Sequence, residues 1–165
     1  MNGFLKILES LADFEEITGG LKKNQSPVSV TGVSDSVRAH LAFCVCKTLG
    51  KNAFIVAANQ SAAKQIFEDM KFFFDGEVLF FPEKELVFYD IEAAANDIKK
   101  QRLEVLDKLA CGCDSFCVVT TASALMSATV PKKLYEEKVI SLSVGDEIEL
   151  DELCSIMVEL GYKLE

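Results

Sequence analysis

Apolar residues Phe4, Leu5, Ile7, Leu8, Leu11, Phe14 and Ile17 recur at helical spacing, and Gly19-Gly20 follows as a stop. The spacing predicts a leading helix whose apolar face must dock on something. Residues 21–26 (LKKNQS) read as a short polar linker. From Pro27 the pattern changes to short β-rich runs alternating with helical ones. Residues 27–30 (PVSV) form a first predicted strand. Ser34 or Asp35 can cap a helix carrying Val37, Leu41, Val45 and Leu49, ended by Gly50. Residues 53–58 (AFIVAA) are continuously apolar, as in a strand covered on both faces. Ser61 is placed to cap a helix with the stripe Ile66, Phe67, Met70, Phe73 and Phe74, closed by Gly76. A third strand at 78–81 (VLFF) stops at Pro82, and residues 83–95 read as irregular. Ile98, Val105, Leu106 and Leu109 mark another helix, before a strand at 116–120 (FCVVT).

Strand and helix alternating through short turns predict an α/β fold, a mostly parallel sheet wrapped by helices. Such sheets take ligands at the carboxyl ends of their strands. The loops after Val30, Ala58, Phe81 and Thr120 are therefore the candidate functional positions. The tail differs: 139–144 (VISLSV) alternates as a strand, Gly145-Asp146 is a turn, and Leu153, Ile156, Met157 and Leu160 line one helix face that ends at Gly161. One strand and one helix cannot make a core.

Charge changes the picture of partners. The 165 residues carry 17 Lys+Arg against 26 Asp+Glu, a formal charge of −9, and residues 134–165 hold nine carboxylates against two lysines. So acidic a chain is poorly suited to electrostatic capture of bare DNA or an anionic membrane, and suits protein partners. No apolar run is long enough to cross a bilayer. The start lacks a basic region and a cleavage site, so a cytoplasmic location is expected. There the six cysteines, Cys44, Cys46, Cys111, Cys113, Cys117 and Cys154, should stay reduced. They form two C-x-C pairs, not the two-to-four-residue ligand spacing of zinc sites, and His40 is the single histidine. Small buried hydrophobes are the expected role, with Cys111 and Cys113 beside Gly112 the readiest to oxidise. No metal is expected.

Residues 29–36 (SVTGVSDS) occupy the place of a nucleotide-binding loop, between predicted strand and helix. A working loop reads G-x-x-x-x-G-K-[ST], with backbone N–H groups around the phosphates and a lysine against β/γ charge. Here Ser29 and Ser34 stand at the glycine positions, Gly32 lies between them, Asp35 replaces the lysine, and Ser36 alone fits. A carboxylate ~4 Å from a phosphate oxygen at ε ~20 costs about 4 kcal/mol before screening. Asp35 is expected to cap the helix itself. No cofactor and no catalytic residue is expected.

Several longer stretches are familiar. Residues 30–41 (VTGVSDSVRAHL), 53–74, 81–90 (FPEKELVFYD), 97–109 (DIKKQRLEVLDKL), 118–126 (VVTTASALM) and 142–162 resemble the N-terminal module of the bacterial transcription-repair coupling factors (the Mfd family). That module looks like the first domains of the excision-repair protein UvrB with its ATP-binding loop decayed. The family pattern F-P-x-x-E-x-x-x-Y-D is met at Phe81, Pro82, Glu85, Tyr89 and Asp90, and Gln101-Arg102-Leu103 matches Q-R-L or S-R-L. The resemblance implies P-loop-NTPase-like topology with a degenerate phosphate loop at Gly32, Ser34, Asp35 and Ser36. It implies three regions: a docking helix and linker at 1–24, the UvrB-like domain 1a at 25–138, and the start of a truncated domain 2 at 139–165. Only six residues separate Asp90 from Asp97, so the long aromatic hairpin of UvrB-type enzymes has no counterpart.

What the resemblance implies is a non-catalytic interaction module. In the family, domain 2 recruits UvrA, the module restrains the protein until RNA polymerase is engaged, and polymerase and DNA are handled by later domains. The main UvrA contacts would follow Tyr162. Two rival readings stand beside this one: a helicase-type ATPase domain with an unusual loop, and a redox sensor using Cys111 and Cys113. Phe81, Leu86 and Tyr89 are expected to pin an irregular segment to the core. Arg102, next to Lys99 and Lys100, reads as a solvated or salt-bridged helix face, and His40 as partly packed. Glu83/Glu85 and Glu136/Glu137 lack a second catalytic group, and Ser123 lies in no hydrolase elbow.

Overall fold

The computed structural model describes residues 7–84, 92–112 and 114–162. The chain divides into two compact units, Met1–Ala128 and Thr129–Glu165. In the first, the elements run α1 (Ala12–Lys22), α2 (Asp35–Leu49), β1 (Ala53–Ala57), α3 (Gln60–Phe73), β2 (Glu77–Phe80), α4 (Glu92–Cys111), β3 (Phe116–Thr121) and α5 (Ala122–Met126). The strands form an all-parallel sheet in the order β1-β3-β2, with Ala53 opposite Cys117 and Glu77 opposite Phe116. The α/β expectation holds.

β3 is the central strand, and burial follows from that position: Cys117, Val118, Val119, Thr120 and Thr121 are all buried. One face, with Cys117, Val119, Ala53, Ala57 and Phe80, packs under α2 and α3 through Ala39, Phe43, Cys44, Ala63 and Met70. Leu79, Phe81 and Val118 join Val105 of α4 and Ala124 of α5 on the other. That second cluster stops short of β1, whose Phe54 and Val56 remain 56% and 49% exposed.

Two predicted strands are not strands. Residues 27–30 take no regular secondary structure and join no ladder, and Val28 and Val30 are exposed. Alternation gives a strand only when a neighbour supplies the hydrogen bonds, and among the described residues β1 pairs with β3 alone. Residues 139–144 likewise lack a partner, although the turn after them forms, with Asp146 N–H donating to Ser143 O at 3.1 Å. An isolated strand is not stable in water.

The helices shift at their ends. The expected leading helix breaks: residues 7–9 are helical, Leu11 is the N-cap of α1, and α1 runs through Gly19-Gly20 to Lys22. Docking of Phe14 and Thr18, both buried, outweighs the glycine penalty. Phe4 and Leu5 lie outside the described residues. α3 is capped by Asn59 rather than Ser61, its Oδ1 accepting the Ala62 N–H at 2.9 Å. α4 begins at Glu92, inside the stretch read as irregular. Gly76 does more than close α3: a Cβ there would collide with the Ser115 carbonyl oxygen, because β2 and β3 enter the sheet side by side.

The second unit holds α6 (Lys132–Lys138) and α7 (Leu150–Glu159). Lys138 reaches Glu159 at 2.9 Å, and no described residue of this unit is fully buried. Among the described residues no helix is long and apolar enough to cross a membrane.

Candidate functional site

The turn read as a phosphate loop leads into α2. Ser34 is the N-cap residue, with no side-chain cap bond, and its Oγ lies 3.3 Å from Ser36 Oγ. Asp35 is the first helical residue rather than the cap: its carboxylate pairs with Arg38 at 3.0 Å, both side chains largely in solvent. The i,i+3 spacing sets that pair on one helix face. Gly32 takes φ +77°, a left-handed value that favours glycine, and open space surrounds it. The four residues therefore lie together at a helix start, but no strand feeds into the turn.

Beside this turn runs a groove of about 610 Å³ between residues 30–33, α2 and the outer edge of β1. Its floor is apolar (Leu41, Ala42, Val45, Ala53 and Ile55), with Arg38 and Asn52 as polar groups. The Asn52 Oδ1 is already taken by the Phe116 N–H at 3.0 Å. Among the described residues that line it there is no lysine.

Polar chemistry concentrates instead at the carboxyl ends of β2 and β3. Thr120 Oγ1 donates to Phe81 O at 2.9 Å, and Thr121 Oγ1 donates to Glu83 at 2.6 Å while accepting the Ala124 N–H at 3.2 Å. Lys84 Nζ donates to Ala128 O at 2.7 Å. Arg102 lies in the middle. It is 4% exposed, stacked 3.9 Å from the Phe81 ring centre, and its Nη1 donates to Pro82 O at 2.6 Å and Ala124 O at 3.3 Å. The solvated face expected for Arg102 is thus a buried one. The signal was in the spacing: Arg102 falls four residues after Ile98 and three before Val105, on the apolar stripe. Burial pushes its pKa below the ordinary guanidinium value.

Phe81 is buried, as expected of a residue pinning this segment, whereas Leu86 and Tyr89 lie outside the described residues. Glu85 does too, so the Glu83/Glu85 pair is described only at Glu83. Glu136 and Glu137 face Lys132 and Lys133 at 3.5 and 3.9 Å. His40 is half-buried and stacks on Phe73, 5.1 Å between centroids. Ser123 is an exposed residue of α5.

Cys44 and Cys117 are fully buried, and burial raises their thiols to about 11 and about 12. A smaller contribution comes from Glu9 at Cys44 and from Cys46 at Cys117. Burial also raises Cys46. Such thiols are poor nucleophiles. Cys111 is exposed, 3.8 Å from Asp107 Oδ1, and Cys113 lies outside the described residues. Among the described residues no three His, Cys, Asp or Glu side chains group as metal ligands.

No family profile matches the chain. It is 27% identical over 164 residues to the transcription-repair-coupling factor of Bacillus subtilis, covering 99% of this chain and 14% of that protein. It is 26% identical over 163 residues to UvrABC system protein B of Thermosipho africanus, covering 90% and 24%. The transcription-repair-coupling factor of Staphylococcus aureus is 22% identical over 142 residues, covering 86% and 12%. The chain's homologues are thus transcription-repair coupling factors and UvrB, as the motif resemblance implied. It spans nearly all of itself and less than a quarter of each of them.

Proposed function

We propose that this chain is a non-catalytic interaction and scaffold module of a transcription-repair coupling factor, acting in transcription-coupled nucleotide excision repair. Its relatives' names support the repair context. The observation that carries the non-catalytic reading is Asp35, a carboxylate standing where a phosphate-binding lysine belongs and held by Arg38 at 3.0 Å. A triphosphate brought to this turn meets a carboxylate in place of an ammonium, and the Arg38 cation beside it is already paired with that carboxylate. On this reading Gly32, Ser34, Asp35 and Ser36 are the remains of a phosphate loop in a P-loop-like lineage, and no cofactor binds there.

The partition into a docking helix (1–24), a UvrB-like domain 1a (25–138) and the opening of domain 2 (139–165) belongs to the same reading. The second unit supports it: its apolar residues Leu142, Val144, Leu150, Val158 and Tyr162 are exposed, as in a domain whose core needs further chain. UvrA and other domains of the same protein are the proposed partners, RNA polymerase and DNA being reached through other domains, all in the cytoplasm. The surface for UvrA is assigned mainly beyond Tyr162. A pull-down with purified UvrA tests this: the chain as given fails to retain it, and a chain extended past Tyr162 retains it. Retention by the short chain overturns that assignment.

A further inference from the structure

Arg102 sits where the extensions of two neighbouring strands diverge. Phe81 and Pro82 continue β2, Ala124 belongs to the helix that follows β3, and the guanidinium bonds to one carbonyl from each. Its flat face lies against the Phe81 ring. Among the described residues no carboxylate pairs with this buried cation, and its Nη2 is buried without a hydrogen-bond partner. The nearby Glu83 carboxylate is taken by Thr121.

We infer that Arg102 is an internal latch that fills the crevice at the carboxyl ends of β2 and β3 and makes the 81–84 segment and α5 open and close as one unit. One nitrogen, Nη1, meets both carbonyls while the flat guanidinium stacks on the Phe81 ring, and the compact ammonium of a lysine offers no such planar face. The crevice lies at the edge where parallel sheets of this kind take ligands, and here the chain's own side chain occupies it. The other bonds of the region tie the 81–84 segment to the end of β3 and to the chain after α5: Thr120 holds Phe81, Thr121 holds Glu83, and Lys84 holds the Ala128 carbonyl. Local opening in such a unit is cooperative.

Amide hydrogen exchange, followed by NMR on the whole chain, tests the latch. The reporters are the Phe81 N–H, bonded to Val119 O, and the Ala124 N–H, bonded to Thr121 Oγ1. In Arg102→Lys both accelerate together by about tenfold or more, the loss of one charge-assisted bond. The Ala63 N–H and the β1 amides stay near their parent rates. Phe81→Leu, which keeps the arginine but removes its stacking surface, gives the same paired acceleration and decides the matter if Arg102→Lys fails to fold. Acceleration of one segment alone, of neither, or of the whole domain evenly overturns the inference.

Discussion

A side chain's chemistry here is decided by what surrounds it more than by what it is. Cys44 and Cys117 are held protonated by burial, with thiols raised to about 11 and about 12, while the unfolded chain releases those protons near pH 9. Above pH 9 the unfolded state therefore binds fewer protons than the folded one, and stability falls as pH rises toward the folded values. Each thiol contributes a loss of up to about 1.4 kcal/mol per pH unit in that window. Urea midpoints measured across it decline, and Cys117→Ala declines less steeply than the parent; equal slopes would show that Cys117 ionises when folded. The burial of Cys44 and Cys117 was legible in the sequence, whose cysteines lack zinc-ligand spacing, although Cys111 turned out exposed. The sequence hid Arg102, because two adjacent lysines suggested a wet face while helical spacing set the arginine on the dry one.

At the scale of elements, α2, α3, α4, α7 and the three strands of the sheet could be read because their own residues carry the signal, whereas the short helices α5 and α6 could not. The continuous runs 53–58 and 116–120 both announce strands, but only the second is covered on both faces: β1 lies at the sheet edge with Phe54 and Val56 exposed. Residues 27–30 and 139–144 alternate just as clearly, yet a strand also needs a neighbour's hydrogen bonds, which local sequence does not encode. Gly19-Gly20 misled for the converse reason: docking of Phe14 and Thr18 carries α1 past a weak stop. Gly76 had a role invisible in one dimension, the close approach of its backbone to Ser115. Gly76→Ala is expected to destabilise the chain by about 1–3 kcal/mol, the usual cost of forcing backbone apart in a packed site. Urea unfolding measures it, and a change below about 0.5 kcal/mol, the range of ordinary surface substitutions, would remove the close approach from the account.

The whole molecule presents two units of different character. The first has a packed sheet with helices on both faces, and its polar groups at the carboxyl edge bond to one another rather than standing open. The second carries exposed apolar residues and no fully buried one among those described, beside a strong excess of carboxylates. The turn residues Gly32, Ser34, Asp35 and Ser36 were legible in the sequence as a group, and the structure places them together at the start of α2. What was not legible was their support, since the strand expected to lead into the turn has no ladder partner. The family relationship was legible in dispersed motifs, Phe81-Pro82 and Arg102 among them, whose physical connection through stacking and a shared carbonyl emerges only from the fold.

Under the proposed function this domain keeps the position of a nucleotide site and binds no nucleotide there. Isothermal titration of the chain with ATP and Mg²⁺ tests it most directly. The account predicts no saturable heat up to millimolar nucleotide, and binding in the micromolar range would contradict it.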